Sequence, residues 1–112
     1  MTNLIVNEHD IGGAIVADNE TYLLKDNKML TNLVLSSTML YPGHSTRGHS
    51  HAGQEEIYFF VRGTGSMIVG EECFKILGGN IVLIPDGAFH RVVNDGDMNL
   101  IFNCVFNGKR SH

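Results

Sequence analysis

The 112-residue chain contains no tryptophan and only two prolines and two cysteines. Each scarcity removes a class of protein. Two cysteines cannot form the dense disulfide framework of a small secreted domain, and Cys73 and Cys104 make no Cys-x-x-Cys pair. Each lies in an apolar stretch, so both are expected to be buried, free thiols of a reducing cytosol. Positive charge is also short: eight Lys and Arg stand against twelve Asp and Glu, a net charge of −4. That balance argues against nucleic acid or an anionic membrane as the main partner. The tail Lys109-Arg110 is too brief to reverse it. No apolar run approaches membrane-spanning length, and Met1–Glu8 lacks the basic and apolar regions of a signal peptide. The expectation is a soluble, cytoplasmic protein. At 43% hydrophobic and 18% charged residues, the chain can bury a core as one globular domain.

Long helical periodicity is missing too. Thirteen glycines separate short apolar runs, a pattern of many strands joined by tight turns. Strands are expected near 13–17, 20–25, 31–41, 46–51, 55–62, 64–70, 72–77, 80–84, 88–94 and 99–107. Gly63-Thr64-Gly65, Val69-Gly70-Glu71-Glu72 and Asn94-Asp95-Gly96-Asp97 supply turn chemistry between them. Ten short strands in one small domain imply an all-β sandwich or barrel. Residues 1–30 are expected to form an N-terminal arm that adds edge strands to the barrel or to a neighbouring subunit. The barrel should span 31–108, with 109–112 as a tail.

Histidine is where the chemistry concentrates. In a strand, His49 and His51 would point to one face, roughly 6.5–7 Å apart along the chain, and so converge on one ion. Glu56 or Glu55, returned by a turn, and His90 would complete a mixed nitrogen and oxygen set. Such donors suit a divalent ion of zinc, iron, manganese, nickel or cobalt. His9 and His112 fit no such pattern and read as surface residues. His44 lies near the proposed site but reads as a solvent-facing loop residue.

Residues 43–94 carry a resemblance. Gly43, His49, His51, Glu56 and Gly63 are spaced as in the first cupin motif, G-x5-H-x-H-x3–4-E-x6-G. Gly79, Pro85, Gly87, His90 and Asn94 are similarly spaced to the second, G-x5-P-x-G-x2-H-x3-N. About fifteen residues separate the two, as in compact members. The resemblance implies a double-stranded β-helix, a jelly-roll cupin barrel, holding one divalent metal ion per chain on His49, His51, Glu56 and His90. Glu55 would face solvent. Gly63 and Gly87 fall at tight turns, Pro85 at a strand end, and Asn94 reads as structural.

Four protein ligands around an ion that takes five or six leave positions open for water or substrate. Tyr58 and Phe60 would line the pocket, with Tyr41, His44 and Arg47 just before the first ligands. Tyr58 and Arg47 are the candidate catalytic residues, Arg47 as a forked donor to a carboxylate or phosphate. Three chemistries compete: metal-assisted isomerisation of a sugar or sugar phosphate, an Fe(II)-dependent dioxygenase, and non-catalytic binding of a small polar metabolite. The segments 38–43, 48–51, 55–58 and 90–97 resemble the cupin-type phosphoglucose isomerases. The chain departs from them in being much shorter, with fewer residues between Gly43 and His49, where that family helps hold phosphate. Parity adds one expectation. With Glu56, Tyr58 and Phe60 inward, Ile57, Phe59 and Val61 form an apolar outer face, which the arm or the partner of a homodimer must cover.

Overall fold

Alternation of apolar and polar residues dictates the architecture. The computed structural model describes residues 4–108, which form nine strands and no helix. They are β1 (Ala14–Asp18), β2 (Tyr22–Asn27), β3 (Leu33–Leu40), β4 (Glu56–Arg62), β5 (Thr64–Val69), β6 (Glu72–Leu77), β7 (Ile81–Ile84), β8 (His90–Val93) and β9 (Leu100–Asn107). All pairings are antiparallel. A six-stranded sheet runs β1-β2-β3-β9-β4-β7, and a three-stranded sheet runs β6-β5-β8.

In β3, Val34, Ser36, Thr38 and Leu40 are buried while the residues between them are not. In β4, Glu56, Tyr58 and Phe60 are the buried set. This two-residue period turns one face of each strand into core. The core lies between the sheets, with Leu40, Phe60, Met67, Val92, Leu100 and Phe102 all at most 2% exposed. Burying each such side chain stabilises the fold by about 1.5–3 kcal/mol. Phe60 and Phe102 oppose each other across β4 and β9, with ring centroids 5.3 Å apart.

β2 pairs with β3 along its whole length, and β1 continues the same sheet to its edge, so residues 14–27 are strands of the sheet itself. Only the segment before β1 lies outside the ladder. It crosses the outer face of the sheet: Asn103 Nδ2 donates to the Glu8 carbonyl at 3.0 Å, and Asn27 Nδ2 donates to the Ile11 carbonyl at 2.7 Å. Ile11 of this segment is itself buried. The arm thus shields the β3–β9 side of the outer face. The β4–β7 side stays open, with Ile57 37%, Ile81 58% and Leu83 70% exposed.

Two expectations are corrected. Residues 46–51 form no strand. They run as an irregular strap beside β8, bridged at Ser45 to Val93 and at His49 to His90. Gly48 breaks the ladder with φ 82°, and a Cβ there would fall 2.7 Å from the Phe89 ring. Cys73 is exposed, although Cys104 is buried as expected and neither forms a disulfide. On β6 the inward positions are Phe74 and Ile76, so parity turns Cys73 outward with Lys75. The tail 109–112, and His112 with it, lies outside the described residues.

Candidate metal centre

Three separate pieces of chain bring donors to one point at the mouth of the barrel. The first residue of β4 contributes Glu56, the first of β8 contributes His90, and the strap contributes His49. Their ligand atoms lie within 4.8 Å of one another. Glu56 Oε1 is 3.5 Å from His90 Nε2 and 3.7 Å from His49 Nε2. Two donors each about 2.1 Å from one tetrahedral ion stand about 3.4 Å apart, so this spacing fits a common ion. His90 Nε2 is sealed from water, and 3.5 Å to Glu56 is too long for a full hydrogen bond. An ion at the centre would be the partner that this nitrogen calls for.

His51 stands beside this trio rather than inside it. Its ring centroid is 4.8 Å from that of His49, and its Nε2 is also shielded from solvent. The two imidazoles meet although neither sits in a regular strand, so the expected cause, strand parity, is not what brings them together. Backbone bonds between His49 and His90 fix one ring, and the loop that follows places the other. Glu55 is exposed.

The electrostatics of the trio follow from burial and contact. Burial works against the Glu56 carboxylate, but His49 and His90 outweigh it and hold its pKa at about 2. Burial also works against a charged His90, yet Glu56 and the Ala88 carbonyl raise its pKa above the ordinary 6.5. His90 Nδ1 lies 3.0 Å from the Ala88 carbonyl, which can only accept. Nδ1 therefore carries the proton, and in neutral His90 the Nε2 lone pair faces Glu56 and His49. That carbonyl belongs to a tight turn, Pro85–Ala88, closed by Ala88 N–H to the Pro85 carbonyl at 3.1 Å. Gly87 has φ 75° at its third position, the signature of a type II turn.

Beside the donors opens a cleft of about 180 Å³ lined by Tyr22, Leu24, Thr38, Arg47, Tyr58 and the two histidines His49 and His90, among others. Tyr58 is buried, with its ring 5.7 Å from His90 and stacked at 5.4 Å on Phe102. Arg47 is exposed at the rim. Phe60 lies deeper, in the core rather than the cleft wall. Tyr41 and His44 are half-buried and do not line the cleft.

Sequence reasoning missed Tyr22 and Leu24, which reach the cleft from a strand far from either motif, and gave Thr38 no role although it lies just before the first motif. Arg91 was missed as well. Its Nε donates to the Thr46 carbonyl at 3.0 Å and its Nη2 to Ser45 Oγ at 2.7 Å, tying the strap to β8. The available signal was parity: Arg91 follows His90 directly and must point the other way. Asn94 is structural as expected, donating to the Leu40 and Met98 carbonyls and accepting from Gly96 N–H.

A two-sheet β-barrel that gathers imidazoles and a carboxylate at one mouth defines the class: a double-stranded β-helix with a potential metal centre. The family described as Cupin domain matches residues 37–106, and the chain belongs to it. The chain is 31% identical over 106 residues to a glucose-6-phosphate isomerase of Thermococcus litoralis, covering 83% of this chain and 56% of that protein. It therefore spans little more than half the length of that relative. It is also 31% identical over 85 residues to an oxalate-binding protein of Thermotoga maritima, covering 75% of this chain and 70% of the other. A solved Klebsiella pneumoniae protein with a double-stranded β-helix domain superposes with a TM-score of 0.80 at 17% identity, covering 95% and 90% of the two chains.

Proposed function

We propose that this cupin holds one divalent metal ion on His49, His51, Glu56 and His90 and isomerises a small hydroxy-carbonyl metabolite such as a sugar or sugar phosphate. One observation carries the reading: the donors of His49, Glu56 and His90 converge at the edge of a closed-backed cleft. A carboxylate held at about 2 is a weak base, so Glu56 suits ligation rather than proton abstraction. The bound ion would supply Lewis acidity, polarising a carbonyl and stabilising the enediolate beside it. Tyr58 on the cleft wall is assigned to proton handling, and the rim guanidinium of Arg47 to an anionic group of the substrate. The reaction moves one proton between adjacent carbons and one between their oxygens, and needs no oxidant. The glucose-6-phosphate isomerase relatives support this chemistry class.

A second reading is the binding of a small oxygenated acid without turnover in this cleft of about 180 Å³. The oxalate-binding relative points the same way.

Reconstitution with manganese, iron, zinc or nickel, followed by elemental analysis and assays on aldose and ketose phosphates, separates these readings. The expected result is about one ion per chain, lost in His51→Ala, and isomerisation without oxygen uptake. Arg47→Ala should raise KM by about tenfold with little change in kcat. Oxygen uptake with iron would move the assignment to a dioxygenase. Metal without turnover, together with calorimetric binding of small dicarboxylates, would establish the binding reading. No ion under any condition would end the metal assignment. We further infer that a second copy covers the open β4–β7 face, making the protein a homodimer.

A further inference from the structure

His51 is the one proposed ligand that lies past the last backbone bridge to β8 and before β4 begins. Pairing with β8 ends at His49, β4 begins at Glu56, and residues 50–55 between them belong to no strand. Left alone, such a loop would spread His51 over many positions, and each bond to the ion would first have to overcome that entropy. Two contacts of the residues just after His51 help to restrain it. Gly53 N–H donates to Asp86 Oδ1 at 2.6 Å, and Gln54 Nε2 donates to the Asn107 carbonyl at 2.8 Å. The first bridges 33 residues of sequence and is short, as a bond to a carboxylate should be.

Asp86 belongs to the Pro85–Ala88 turn, and that turn already orients His90 through the Ala88 carbonyl. One turn between β7 and β8 thus touches both halves of the donor set: His90 through its backbone, and the His51 loop through a side chain. Asp86 occupies an unspecified position between Pro85 and Gly87 in the motif. Its carboxylate belongs to this chain's own reading of the site.

We propose that Asp86 is a positioning residue for the metal centre, pinning the loop that carries His51 so that its imidazole stays in reach of the ion held by His49, Glu56 and His90. This rests on the metal-binding reading above. Asp86 itself touches neither ion nor substrate. Its removal should loosen one ligand while leaving the barrel intact, because the carboxylate is on the surface and packs against no core residue.

Cobalt(II) is the probe, bound to the full chain of wild type, Asp86→Ala, Asp86→Asn and Gln54→Ala. Release to excess chelator is followed by stopped flow, the visible cobalt spectrum reports coordination, and the melting temperature is measured without metal. Asp86→Ala should release cobalt about five- to tenfold faster with an altered spectrum. Asp86→Asn, which keeps an acceptor oxygen, should recover most of the loss. Gln54→Ala should fall between, and the metal-free melting temperatures should stay within a few degrees of wild type. Wild-type release and spectrum in Asp86→Ala would overturn the proposal. So would a change matched by collapse of the metal-free melting temperature, because Asp86 would then serve the fold. Wild type that takes up no cobalt would instead sink the metal reading on which this rests.

Discussion

At the residue scale, the decisive fact is that Glu56 and His90 push each other's protonation in opposite directions. Glu56 is depressed to about 2 from 4.5, so its contribution to stability is present above pH 4.5 and is lost as pH falls toward 2. His90 is raised above 6.5, so its contribution is complete below pH 6.5 and is lost as pH rises through its folded value. In metal-free protein the pair therefore stabilises most between about pH 4.5 and 6.5. The difference in urea midpoint between chelated wild type and Glu56→Gln should peak in that window and shrink on both sides. A difference that grows steadily above pH 7 would contradict the pairing. Metal uptake must displace the proton on His90, so affinity should rise as pH climbs past 6.5.

At the scale of elements, the strap before β4 is the part that sequence periodicity misread. A His-x-His pair looks like strand alternation, yet Gly48 takes φ 82° and turns the ladder into two isolated bridges. The glycine also lets the strap pass close to the Phe89 ring and the Arg91 stem. Gly48→Ala forces a side chain into the left-handed region and should destabilise the protein by about 1–3 kcal/mol. Because the Phe89 ring can swing aside, most of that cost is backbone strain, and His49 should shift with it. Thermal melts and metal titration of the variant check both parts; a wild-type melt with unchanged affinity would show that the strap tolerates the change. Neighbouring elements behaved as their patterns implied. β6 matches the expected span 72–77, and the turn after Val69 joins β5 to β6 across two residues.

At the scale of the whole molecule, the open β4–β7 face is where the proposed second copy would sit. On this face Ile57, Ile81 and Leu83 are 37–70% exposed. A cluster of exposed apolar side chains on a sheet face is a candidate contact surface. A standard interface buries about 800 Å² per partner, so a second copy laid across this face would cover its polar rim as well. Light scattering at micromolar concentration should give twice the chain mass of 12.3 kDa. Leu83→Asp, at the most exposed point of the sheet, should shift the mass to that of one chain without unfolding it. A monomeric wild type would leave the arm as the only cover of this sheet.

The sequence by itself determined the all-β class and nearly every strand, and it singled out the histidines and the glutamate proposed to hold the ion. These are properties of two-residue alternation, turn glycines and fixed motif spacing, all of them local along the chain. Glu56 rather than Glu55 faces inward because parity within β4 allows only one of them to do so. What the tertiary structure decided is non-local. Thr38, Tyr22 and Leu24 join the cleft because β2 and β3 lie beside β9 in one sheet, and no window of sequence contains that adjacency. The contact between residues 53 and 86, beside the loop that carries His51, is one that pattern cannot foresee because a loop has no period. The outward turn of Cys73 and the partial cover given by the arm are decided likewise, by which sheet face each strand presents and what crosses it.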